Sequence, residues 1–135
     1  MRVLFWYCER FAWVPAMKTL EDAPEAKPGE AAQAVVAFVH VEPGDLEVAS
    51  GAETKLVKNA KWLARKWNVR RVVLHSFTHL GEDKADPEAA RALLARARER
   101  LAEADYPTVE TPYGYFLDLD IRAPGHPLAR IYKEL

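Results

Sequence analysis

At 135 residues, half of them hydrophobic and 29% charged, the chain has the size and balance of one globular domain rather than of a disordered or membrane-embedded polymer. Its net charge of −1 gives the whole molecule no strong pull on a polyanion, so contact with nucleic acid requires a local basic patch. A lone cysteine excludes an internal disulfide and a cysteine-built zinc site, and the longest apolar runs fall far short of the roughly 20 residues that cross a bilayer.

The N-terminus lacks the basic, long-apolar pattern of a secretory signal, and with the single thiol this points to a cytoplasmic chain away from membranes. Arg2 to Tyr7 is aromatic and aliphatic without helical spacing and reads as a buried strand. Phe11, Trp13 and Val14 suggest its return partner, which Pro15 limits to an edge or a short hairpin arm. Asp22 to Glu30, interrupted by Pro24 and Pro28 and lacking large apolar residues, reads as an exposed loop. Ala34 to Val41 is almost continuously apolar, as suits a central strand covered on both faces, and Glu42-Pro43-Gly44 ends it.

Between Glu53 and Trp67, the residues Leu56, Val57, Ala60, Leu63, Ala64 and Trp67 recur at the three-and-four spacing of one helix face. Val69 to Leu74 is short and β-branched, so strand, helix and strand follow one another as in a crossover unit. Asp86 and Pro87 start a second helix, Asp as a cap and Pro because it lacks the amide that would go unpaired there. Its buried stripe is Ala90, Leu93, Leu94, Ala97 and Leu101. Thr108 to Thr111 and Tyr115 to Ile121 read as two further strands parted by Pro112 and Gly114. With no repeat and no long linker, the expectation is one compact α/β domain over residues 1–135, with a sheet of about five to six strands and two main helices.

Three segments have the residue types for chemistry. His75-Ser76-Phe77-Thr78-His79-Leu80-Gly81 follows directly on a strand, and the carboxyl ends of strands in open α/β sheets are where ligands usually sit. An imidazole such as His79 donates, accepts or shuttles a proton near neutral pH, although His75 and His79 equally suit a role as strand-end hydrogen-bond partners. Thr111-Pro112-Tyr113-Gly114-Tyr115-Phe116 offers rings that stack a base or wall a pocket, and the same composition suits hairpin packing. Gly125-His126-Pro127-Leu128-Ala129-Arg130 reads as a stiff turn before a short terminal strand or helix. Phosphate loops, nucleophile elbows and His-Glu-x-x-His helices are missing, and Cys8 at a strand end suits packing as well as nucleophilic work.

In order and spacing, Val73 to Leu80, Thr111 to Phe116 and Gly125 to Ala129 resemble the signature stretches of the archaeal threonyl-tRNA synthetase editing domain, and Met1-Arg2-Val3-Leu4 and the strand ending at Val41 are also similar. The resemblance implies a fold related to D-aminoacyl-tRNA deacylase, a homodimer, and removal of L-serine from threonine tRNA, and the sequence itself gives no support for a metal or cofactor. It also implies an aminoacyl-tRNA deacylase that acts free-standing, beside a separate catalytic synthetase, or as a piece of one. By position it assigns a substrate pocket to Val41, Ser76, Phe77, Thr78, His79 and Ala90, faced by Tyr115, Phe116, Leu117 and Arg130. His79, Phe116 and Leu117 stand at its catalytic positions, in roles that are largely positional or carried by the backbone.

The chain departs from the family pattern where Phe116-Leu117 replaces Tyr-Lys and where Arg130 replaces a Glu; Ser76 and Thr78 replace a proline and an alanine. A mechanism survives these losses if the terminal ribose of the tRNA activates water through its vicinal hydroxyl while backbone amides stabilise the oxyanion. Otherwise the chain is a silent tRNA-binding module, and a D-aminoacyl-tRNA deacylase is a further alternative. Exclusion of threonine, which differs by one methyl, needs a steric wall, assigned to Phe77, Val41 and Ala90. For RNA, the basic residues of the first helix, Lys58, Lys61 and Arg65 foremost, suit either phosphate contacts or a solvated face.

Overall fold

In a computed structural model describing residues 1–135, the first strand is far longer than its sequence suggests. β1 runs Arg2–Lys18, so Phe11, Trp13 and Val14 continue it and do not form a return arm. Its true antiparallel partner is β2, Gly29–His40, which begins inside the expected loop. The pairing reaches Trp13 opposite Gly29, where any side chain at 29 would overlap the Trp13 indole. Pro15 lies beyond that last pair, so its missing amide costs β2 nothing, and the pairing on its other side shifts register between Pro15 and Met17.

α1 (Ala52–Lys66) carries the chain to β3 (Arg71–Ser76), and α2 (Pro87–Glu103) carries it to β4 (Thr108–Glu110); both crossovers join parallel neighbours. β5 (Tyr115–Arg122) and β6 (Arg130–Glu134) share the outer edge of β1, β6 along Arg2–Trp6 and β5 along Arg10–Lys18. The strand order is β4-β3-β2-β1-β5 with β6 also beside β1, six strands and two helices where an α/β domain of about five to six strands and two helices is expected from the sequence.

Both helices pack on one face of the sheet. Leu56, Leu63, Leu93, Leu94 and Leu101 meet Val3, Phe5, Val35, Val39 and Leu74 in the larger of two cores. Each such leucine, fully buried, contributes about 1.5–3 kcal/mol by leaving water. The second face carries Cys8, Phe11, Trp13, Ala31, Ala34, Val36, Phe38 and Val73, with no helix over it. Along β1 the residues of this face run Cys8 then Phe11, and along β2 Ala31 then Ala34, a spacing of three where a flat strand has two. Both strands therefore turn over together, at Glu9-Arg10 and at Ala32-Gln33, where Gln33 takes a left-handed φ of 51°. The turnover lets the far half of β1 and its partner β5 curl across the second face towards the end of β3.

Candidate active site

The curl closes a cleft of about 370 Å³ at the carboxyl end of β3. One wall is the last residue of that strand and the turn after it, Ser76, Phe77, Thr78 and His79, with His75 behind it. The opposite wall is Pro112 to Leu117, with Leu119, and the end is closed by Thr19 and Leu20 from the segment after β1. Lys84, Ala85 and Pro87 complete the rim from the loop that leads into α2.

Gly114 joins the two sides. It has a φ of 84°, its carbonyl accepts the Thr19 amide at 2.8 Å, and a Cβ there would stand 3.0 Å from that of Ala23. Only glycine meets both demands. The Tyr115 hydroxyl donates to the Pro24 carbonyl at 2.7 Å, tying the same segment to β5.

His75 is 7% exposed, and its Nδ1 lies 2.8 Å from the Thr111 hydroxyl. The Phe38 ring meets it edge-on at 4.8 Å. Burial pulls its pKa down to about 4, so the imidazole is neutral across the physiological range. It shapes the floor and does not shuttle protons near pH 7. His79 is exposed, leans edge-on against Phe77 with ring centroids 4.9 Å apart, and keeps its ring nitrogens free of the chain. Burial pushes the Tyr113 hydroxyl up, beside Ser76. The Phe77 amide is spent on the Val39 carbonyl at 2.9 Å and the Leu80 amide on His40 Nδ1 at 3.1 Å, whereas those of Thr78 and His79 between them donate to no group of the chain. Two adjacent free N–H groups on a cleft wall are what an oxyanion needs.

Of the residues expected from sequence, Ser76, Phe77, Thr78, His79, Tyr115, Phe116 and Leu117 come together here. Val41 and Ala90 do not reach the surface of the cleft. They are 3% and 6% exposed in the helix-side core, and Val41 acts on the wall through its carbonyl, which holds the Ala85 amide at 2.9 Å. A larger side chain at 90 thus enters the core first, where overpacking costs about 1–3 kcal/mol.

Arg130 lies apart from the cleft, its guanidinium 5.6 Å from the centroid of the Trp6 ring and bonded to the Pro124 carbonyl at 3.0 Å. His126 caps a short turn by accepting the Leu128 amide at 3.0 Å, and its ring meets Trp67 edge-on, so the third signature stretch is architectural. Lys58, Lys61 and Arg65 ride on α1, on the helix side of the sheet, while Phe77 and Leu117 belong to the other side. Cys8 is fully buried and its thiol is pushed up to about 12, which removes it as a nucleophile. Sequence reasoning missed Thr19, Leu20, Lys84, Ala85, Pro87 and Leu119, as well as the brace at His40.

Residues 1–135 match the family described as the archaea-specific editing domain of threonyl-tRNA synthetase. The chain is 31% identical over 134 residues to a threonine–tRNA ligase of Pyrobaculum arsenaticum and 32% identical over 136 residues to that of Pyrobaculum calidifontis. Each match covers 98% of this chain and 22% of the relative, so the chain spans about a fifth of the length of these curated relatives. Among solved structures, a c-Myc DNA unwinding element binding protein superposes with a TM-score of 0.72 at 10% identity, over 100% of this chain and 99% of that one. A probable eukaryotic D-amino acid tRNA deacylase gives a TM-score of 0.48 at 11% identity, covering 98% of both chains. On the match along its whole length, this chain belongs to the family of archaea-specific editing domains of threonyl-tRNA synthetase.

Proposed function

We propose that the domain hydrolyses the ester of L-serine wrongly attached to threonine tRNA, with the terminal ribose hydroxyl assisting. The observation that carries this reading is the cleft at the end of β3, which is lined without any carboxylate and by Thr78 and His79, whose amides no group of the chain accepts. Such a site suits an ester whose own hydroxyl directs water while the main chain holds the developing oxyanion. His79 and the aromatic wall of Phe77 and Phe116 position the aminoacyl group, and the roles at Phe116 and Leu117 belong to their backbone and bulk. Rejection of threonine rests on Phe77 at the surface, with Val41, whose carbonyl holds Ala85 of the rim, and Ala90 in the layer behind.

Glu53, the acid of the basic first helix, is taken up by Arg96 at 2.7 Å and Arg100 at 2.9 Å. Lys58, Lys61 and Arg65 are thereby left without a neutralising acid on α1 and meet phosphates of the tRNA body, away from the end that enters the cleft. Incubation of the domain with seryl-, threonyl- and D-aminoacyl-tRNA in turn tests the reading. Serine is expected to be released well above the spontaneous rate and threonine is not. A Lys58→Glu/Lys61→Glu variant should raise KM in the same assay. Release of D-amino acids alone makes the chain a D-aminoacyl-tRNA deacylase, and release of nothing makes it a silent module.

The helix-free face of the sheet supports a homodimer. Leu4, Trp6 and Ile121 are half-buried there beside the second core, and the Trp6 indole N–H is buried with no acceptor in its own chain. A solution mass of two chains is expected, falling to one in an Ile121→Arg variant. A monomeric wild type sinks the idea.

A further inference from the structure

The lining of the cleft holds one lysine, no arginine and no carboxylate. That lysine, Lys84, is exposed at the rim, and it forms no ion pair within the chain. Its side chain is unengaged, but its backbone is clamped on both sides. His40 donates from Nε2 to the Asp83 carbonyl at 2.7 Å, and the Ala85 amide donates to the Val41 carbonyl at 2.9 Å. His40 is 0% exposed, and its Nδ1 accepts the Leu80 amide at 3.1 Å, which puts the ring proton on Nε2. One buried imidazole therefore braces the loop that carries both His79 and Lys84, and the lysine stem swings from a fixed point.

We propose that Lys84 binds a phosphate of the nucleic acid substrate, that of the terminal nucleotide whose aminoacyl ester lies inside the cleft. This rests on the reading given under Proposed function. The two ends of such a ligand carry opposite charge: a phosphate that keeps its water, and the ammonium of the amino acid. A single cation on a wet rim attracts the first and repels the second, so it orients the ester with the amino acid directed inward. The free amides of Thr78 and His79 then face the carbonyl. Lys84 is a positioning residue, and its loss lowers affinity without removing any group that acts on the reacting atoms.

The test uses two non-hydrolysable probes, serine amide-linked to 3′-amino-3′-deoxyadenosine, with and without a 5′-phosphate. Calorimetric binding to the wild-type domain at low salt should be about five- to tenfold tighter for the phosphorylated probe, the range of one solvent-exposed charge-assisted contact. Lys84→Gln should erase that preference while binding the unphosphorylated probe as before, and Lys84→Arg should keep it. With seryl-tRNA, Lys84→Gln should raise KM and leave kcat nearly unchanged. A preference that survives in Lys84→Gln, or none in the wild type, overturns the proposal while the reading stands. If neither probe binds the wild type and seryl-tRNA is left intact, the reading and the proposal fall together.

Discussion

Removing the 2′-hydroxyl from the terminal adenosine of seryl-tRNA is expected to slow release of serine by about 100-fold or more, the usual contribution of a positioned general base. The groups lining the cleft leave few alternatives for that role. Its walls bring no carboxylate. His75 is bonded to Thr111, and its burial holds its pKa near 4, so it is neutral where the reaction runs. Leu117 brings an aliphatic side chain that cannot take a proton, and Arg130 lies over Trp6 outside the cleft.

His79 is the foremost competitor. Its ring is exposed and unbonded, close enough to Phe77 to be held by packing. If its part is to position the substrate, His79→Ala costs less than the missing hydroxyl does. The two effects should be measured against the spontaneous hydrolysis of each ester, because the hydroxyl also speeds that background reaction. A deoxy substrate cleared as fast as the normal one, or a His79→Ala loss larger than the deoxy loss, would transfer the role of base to the protein.

Much of the framework was legible in the chain because it depends on local periodicity. The stripe Leu56, Val57, Ala60, Leu63 and Ala64 is buried as its spacing requires, and Asp86 caps α2 by accepting the Ala89 amide at 3.1 Å. β1 and β2 were read as shorter than they are for a tertiary reason. The exposed pairs Glu9-Arg10 and Ala32-Gln33 look like breaks in hydrophobic patterning, yet they mark the place where two paired strands turn over together. The central walls of the cleft, from Ser76 to His79 and from Tyr115 to Leu117, were visible because they are contiguous segments at strand ends. Thr19, Leu20 and Lys84 were not, since only the curl of the sheet and the clamp at His40 bring those loops to the site. Val41 and Ala90 came from resemblance by position, which does not tell a wall from the layer behind it.

Between pH 7 and pH 4 the domain is expected to lose about 3 kcal/mol of stability through His75 alone, from a pKa gap of about 2.5 units at about 1.4 kcal/mol each. The folded state holds this imidazole at about 4 because burial disfavours its cation, while in the unfolded chain it takes up a proton near 6.5. The contribution is complete above pH 6.5. It is lost as pH falls towards 4, where the unfolded chain binds the extra proton and the native one does not. Urea unfolding at stepped pH reads the slope directly. His75→Leu should flatten it in that window, but it leaves the buried Thr111 hydroxyl without its partner, at about 1–3 kcal/mol. The double variant His75→Leu/Thr111→Val removes both polar groups from the floor and should recover most of that cost while keeping the flat profile. If the slope of His75→Leu between pH 6.5 and 4 equals that of the wild type, another group titrates there, and the buried neutral imidazole is not the source of acid sensitivity.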